Sequence, residues 1–196
     1  MIRAYINENR TRFLEEWASL IRIPSVSCQP AHRDDMLRCA ERWRELLLEA
    51  GAQHAEIMPS AGNPFVYAEY SPITNSEASD NRYPIPTVLV YSHYDVMPVE
   101  PLDLWHSNPW EPEIRDGRLY ARGADDDKGQ AMIQVKAFEY LVKHGLMNCR
   151  VKFIFEGEEE IGSPSLEAFL EEHRDLLACD IILVSDTSMI GKEMPS

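Results

Sequence analysis

The stretch 151–163, VKFIFEGEEEIGS, governs the reading of the whole chain. Val151-Lys152-Phe153-Ile154-Phe155 is an apolar, alternating run of the kind that forms a strand. It runs directly into Glu156, Gly157, Glu158, Glu159 and Glu160. Like charges at this density repel one another, and a loop needing only solubility would mix its signs. The stretch therefore asks for a positive object at the end of a strand.

Two further strand signals have the same form. TVLVY, 87–91, is followed by Ser92-His93-Tyr94-Asp95, and IILV, 181–184, by Ser185-Asp186. Helical spacing of apolar residues runs from Ile2 to Ile21 and stops at Ile23-Pro24. Helices are also predicted over about 34–50, with Gly51 as its stop, over 129–144, and over 165–177. Short strands are expected at 55–58 and 65–70, and the polar, Pro-bearing stretch 71–86 reads as a surface loop. Strands alternating with helices give an α/β fold, a mostly parallel sheet flanked by helices. In such sheets ligands gather beyond the carboxyl ends of the strands. All three buried-type strands end in His, Glu or Asp there, and a fourth acidic knot, Ala124-Asp125-Asp126-Asp127-Lys128-Gly129, precedes a predicted helix.

One imidazole among several carboxylates suits a divalent cation with mixed nitrogen and oxygen ligands. Each group alone has a plainer explanation. Acidic residues before a helix are more often caps and dipole partners, a Glu run is more often a solvated turn, and a lone His is more often structural. Coincidence at three strand ends is what favours the metal. His93 and Asp95, two apart on an extended segment, share a face. A carboxylate so placed can hold the second N–H of a ligating imidazole, which makes Asp95 the orienting partner of His93.

Composition narrows the field. The 196 residues carry a formal net charge of -14, which argues against nucleic-acid or anionic-membrane surfaces. No apolar run is long enough to span a bilayer, and the charged N-terminal stretch has no signal-peptide core. Cys28, Cys39, Cys149 and Cys179 are scattered, reading as reduced thiols of a cytoplasmic protein.

The motifs SHYD, LWHSNPWEPEIRDGRLYARGADDDKG, EGEEEIGS and the closing VSD, in this order, resemble the dinuclear-zinc metallopeptidases that include carnosinase-type dipeptidases, aminoacylase and succinyl-diaminopimelate desuccinylase. DDKG with EGEEEIGS looks more like the dipeptidase branch. The resemblance implies a zinc-exopeptidase-like catalytic domain and two Zn²⁺ per complete site, manganese or cobalt suiting the same ligands. It makes His93 and Asp186 ligands of one zinc, Asp126 the bridging carboxylate with a cis peptide after it, Glu160 a ligand of the second zinc, Glu159 the general base and Asp95 the orienting aspartate. Asp125, Asp127, Glu156 and Glu158 receive no ligand role.

The implied chemistry is hydrolysis of a peptide or amide bond in dipeptides or small peptides. An N-acyl amino acid deacylase and a non-catalytic metal-binding module are the alternatives. Members of the family are usually longer and often homodimers, with a lid or dimerisation domain and a last His ligand further along. No histidine follows His173, so 1–196 is expected to be the N-terminal portion of the catalytic domain, incomplete at its C-terminus. Such a chain should bind one ion more tightly than a second, show little activity, and leave a sheet edge exposed.

Overall fold

The computed structural model describes residues 1–72, 84–189, 191 and 194. Most of the predicted 71–86 loop lies outside the described residues, and 84–86 belong to no strand. Helices α1 (Ile2–Ile21), α2 (Arg33–Ala50), α3 (Lys128–Lys143) and α4 (Leu166–Glu172) accompany strands β1 (His54–Met58), β2 (Phe65–Tyr70), β3 (Thr87–His93), β4 (Glu113–Arg115), β5 (Arg118–Tyr120), β6 (Arg150–Glu156) and β7 (Ile181–Val184). The main sheet has the order β1-β2-β6-β3-β7. Parallel pairing joins β3 to β6 and β3 to β7, while β2 runs antiparallel to both β1 and β6. Four of the five strands thus share one direction, as the sequence pattern predicts. The separate β4–β5 hairpin was not predicted. Each of its strands has three residues, too few for a periodic signal.

Alternation along the strands sorts the core onto two faces. Val66, Ala68, Val90, Phe153 and Phe155 join Trp43, Leu47, Val135 and Phe138 from α2 and α3. Phe65, Tyr67, Leu89 and Ile154 face the other way, toward Phe169 of α4 and Leu177. Aromatic geometry reinforces both layers. Trp43 meets Phe155 edge-on at 5.0 Å between ring centroids, and Phe65 stacks on Phe169 at 3.8 Å. Such pairs contribute about 0.5–1.5 kcal/mol each beyond area burial. Gly51 ends α2 with φ +111°, and a Cβ there would come within 2.9 Å of Val142, so both the turn and the close approach demand glycine.

Two expectations need correction. Helix α4 stops at Glu172 instead of reaching 177. The Lys152 ammonium donates to the carbonyls of Leu176 (2.6 Å) and Ala178 (2.8 Å), and 173–177 form turns that end at Leu177, packed on the sheet face with Leu89 and Ile154. Strand β7 is not buried: Ile181, Ile182, Leu183 and Val184 are 55%, 63%, 45% and 47% exposed. It is the outermost strand, paired only with β3 among the described residues. An apolar sequence reports a preference for burial but cannot supply the element that buries it.

Candidate metal centre

Register builds the site. In the β3–β6 pair His93 lies opposite Glu156, so SHYD and EGEEE leave the sheet side by side. In the β3–β7 pair Tyr91 lies opposite Val184, and two residues further along each chain stand His93 and Asp186. The turn before α3 brings in Asp126, whose peptide bond to Asp127 is cis. The donor atoms of His93, Asp126 and Asp186 all fall within 4.8 Å of one another. His93 Nε2 is 3.1 Å from Asp126 Oδ1, 3.5 Å from Asp186 Oδ2 and 3.9 Å from Glu159 Oε2. One imidazole nitrogen and two carboxylates at such separations fit a divalent cation, and a cation at their centre would offset the crowding of negative charge.

The imidazole is fully buried, while Asp126, Asp186 and Glu159 remain partly open. Burial works to lower the His93 pKa, but Asp95, Asp127 and Asp126 outweigh it and raise it to about 10. Without a metal the imidazole is therefore a cation itself. The Glu160 carboxyl is pushed up to about 7, first by burial and then by Asp126, with His93 opposing. Asp127 rises to about 6 through burial, against the hydrogen bonds it receives.

The acidic residues without a ligand role do structural work. Asp127 does not cap α3 through its side chain. Its Oδ2 accepts from the Ser92 hydroxyl and from the His93 main-chain N–H at 3.1 Å, tying the start of α3 to the end of β3. Glu156, buried at the end of β6, accepts from Tyr91 and Ser163. Glu158 accepts from the Asn63 amide at 3.1 Å, and the Asn63 side chain donates to the Gly157 carbonyl at 2.8 Å. The role of Asn63 had no signal in the sequence, because it reaches the site from the β1–β2 turn. Lys128 is fully buried, donating to the Leu20 and Ile23 carbonyls at 3.0 and 2.8 Å; burial lowers its pKa. It locks the end of α1 against the acidic turn. His106, within the WHSNPW loop, is exposed.

Residues 89–193 match the model of the peptidase family M20/M25/M40. The chain belongs to this family. It is 28% identical over 193 residues to a cysteinylglycine-S-conjugate dipeptidase of Corynebacterium striatum, covering 97% of this chain and 40% of that protein. It is 31% identical over 210 residues to the human Beta-Ala-His dipeptidase, covering 98% and 39%. Among solved structures, an M20 family metallo-carboxypeptidase from Sulfolobus solfataricus superposes with a TM-score of 0.79 at 31% identity, over 93% of this chain and 38% of that one. The chain thus spans about two fifths of the length of these M20 relatives. As an M20 member it shares the mixed α/β architecture of M20 peptidase catalytic domains. Among the described residues no helix is long and apolar enough to cross a membrane.

Proposed function

We propose that this chain is the N-terminal part of a zinc-dependent peptidase domain that hydrolyses dipeptides or small peptides. The observation that carries the proposal is the convergence of His93, Asp126 and Asp186 at the carboxyl ends of two parallel strands and the start of a helix. A cation held by these three would supply Lewis acidity, activating water and polarising a scissile carbonyl. Glu159, on the open side of the cluster, takes the proton of the attacking water and returns it to the leaving amine. Glu160, one residue on, would hold a second cation together with Asp126. One imidazole with carboxylates suits zinc, manganese and cobalt alike, and the resemblance to zinc metallopeptidases favours zinc. The dipeptidase activities named for the relatives favour a dipeptide over an N-acyl amino acid. The scattered free thiols accompany a cytoplasmic setting.

The test is metal analysis of the purified protein, followed by hydrolysis assays with dipeptides and N-acetyl amino acids. A chain extended to the length of its relatives is assayed beside 1–196. Chelator-sensitive dipeptide cleavage by the extended chain is expected, with little from 1–196. Cleavage of N-acetyl amino acids alone would move the assignment to a deacylase.

A further inference from the structure

The Asp95 side chain is completely buried, and both of its oxygens are used by main-chain donors from another part of the chain. The Glu159 N–H donates to Oδ1 at 3.2 Å and the Glu160 N–H to Oδ2 at 3.1 Å. The two amides open a single turn of 3₁₀ helix, Glu159–Ile161, where N–H groups have no partner within the helix itself. The imidazole has a different arrangement. His93 Nδ1 is 3.0 Å from the main-chain carbonyl of Asp95 and 3.3 Å from its carboxylate Oδ1. Carbonyl and carboxylate oxygen both face Nδ1, which leaves Nε2 toward Asp126 and Asp186.

The flanking tethers of the loop lie on either side of this turn. Glu158 is held from Asn63, and Ser163 is held by Glu156. Between them the two charge-assisted bonds to Asp95 tie the main chain that carries Glu159 and Glu160 to the segment after β3, beside the turn's own bond from the Gly162 N–H to the Glu159 carbonyl at 2.9 Å. We infer that the Asp95 carboxylate is a positioning residue for the base-bearing turn, with the Asp95 main-chain carbonyl sharing the orientation of the imidazole. The two strand ends are thereby coupled through one side chain: β3 supplies the ligand His93 and, two residues on, the anchor that sets where the base projects. The inference rests on the reading of Glu159 as base only for its catalytic consequence; the clamp itself stands on the hydrogen bonds.

The substitution Asp95→Asn keeps the shape, leaves one acceptor and turns an NH₂ toward the other amide. Amide hydrogen exchange at Glu159 and Glu160 is expected to accelerate by about tenfold or more, confined to the turn. In the Co²⁺-loaded protein the visible bands of the tightly held ion are expected to keep their positions, because the Asp95 main-chain carbonyl still accepts from Nδ1. Unchanged exchange at the two amides, or shifted bands with unchanged exchange, would overturn the proposal in favour of an imidazole-orienting carboxylate. If the unsubstituted protein bound no Co²⁺, the metal reading would fail while the exchange data still decided the clamp. If Asp95→Asn did not fold, exchange in the unsubstituted protein decides: Glu159 and Glu160 amides exchanging at the rate of an open chain would refute the clamp, and protection would support it.

Discussion

His93 Nε2 and Asp186 Oδ2 stand 3.5 Å apart at the ends of two adjacent parallel strands. No local sequence rule joins them; the β3–β7 register does. Replacing either should therefore damage one and the same property. His93→Ala and Asp186→Asn are each expected to weaken the tightest divalent ion by about 100-fold or more, measured by titration calorimetry, without unfolding the chain. Full retention of metal affinity by either variant would refute the shared centre.

Metal binding should release a proton. With the metal absent, the neighbouring aspartates hold the His93 pKa up to about 10, so at neutral pH the ligand nitrogen is protonated. A cation must displace that proton, and affinity should rise by about tenfold per pH unit across the range from about 6 to 9. Calorimetry in buffers of different ionisation enthalpy should read close to one proton released per ion. An affinity that falls with rising pH in this range would contradict the assignment.

Glu159→Gln is expected to retain the metal and lose about 10²–10⁴-fold in turnover when introduced into a chain of the relatives' length. Glu160→Gln should instead weaken the second ion. The reverse pattern would show that base and ligand are offset by one position.

Away from the site, Glu139 of α3 is fully buried and receives Arg12 of α1, Lys136 (2.8 Å), Lys143 (2.7 Å) and the Tyr5 hydroxyl (2.6 Å). Burial alone would raise its pKa, but these donors together hold it well below the ordinary 4.5. A depressed folded pKa means stability that is full above the ordinary carboxylate range and is lost as pH falls below it. Glu139→Gln should cost about 3 kcal/mol at pH 7, and the loss should shrink as the unsubstituted protein is acidified below about pH 4.5. Thermal unfolding of both proteins across that range checks it; a pH-independent difference would be inconsistent with the network.

A Cβ at Gly157 would sit 2.4 Å from the Tyr94 ring and hydroxyl, and Tyr94 donates to the Pro64 carbonyl at 2.7 Å. Gly157→Ala is expected to destabilise by about 1–3 kcal/mol through overpacking and to lower metal affinity with it, since Tyr94 lies between His93 and Asp95. Denaturant unfolding and metal titration of the variant measure both.

The strand-end motifs were legible because each is local. An apolar run followed by SHYD, EGEEE or SD announces itself within a few residues, and the parallel-sheet rule says which end to inspect. Asp127 was read without a ligand role, and the structure gives it the Ser92 hydroxyl and the His93 amide. Those partners could not be read from its position beside a helix, where a cap was the simpler expectation. The exposure of β7 was invisible for a related reason: IILV has the same composition whether or not another layer covers it.

The sequence by itself determined the five strands of the main sheet, the long helices before and between them, and that a surplus of acid with one imidazole collects at the strand ends. Only the tertiary structure decided which oxygen faces which donor. The Asp95 carboxylate turns to the Glu159 and Glu160 amides while its own carbonyl takes the His93 ring. The physical reason is range: periodicity and turn chemistry act over a few residues, whereas a buried carboxylate selects its partners from every segment that the sheet register brings within hydrogen-bonding distance.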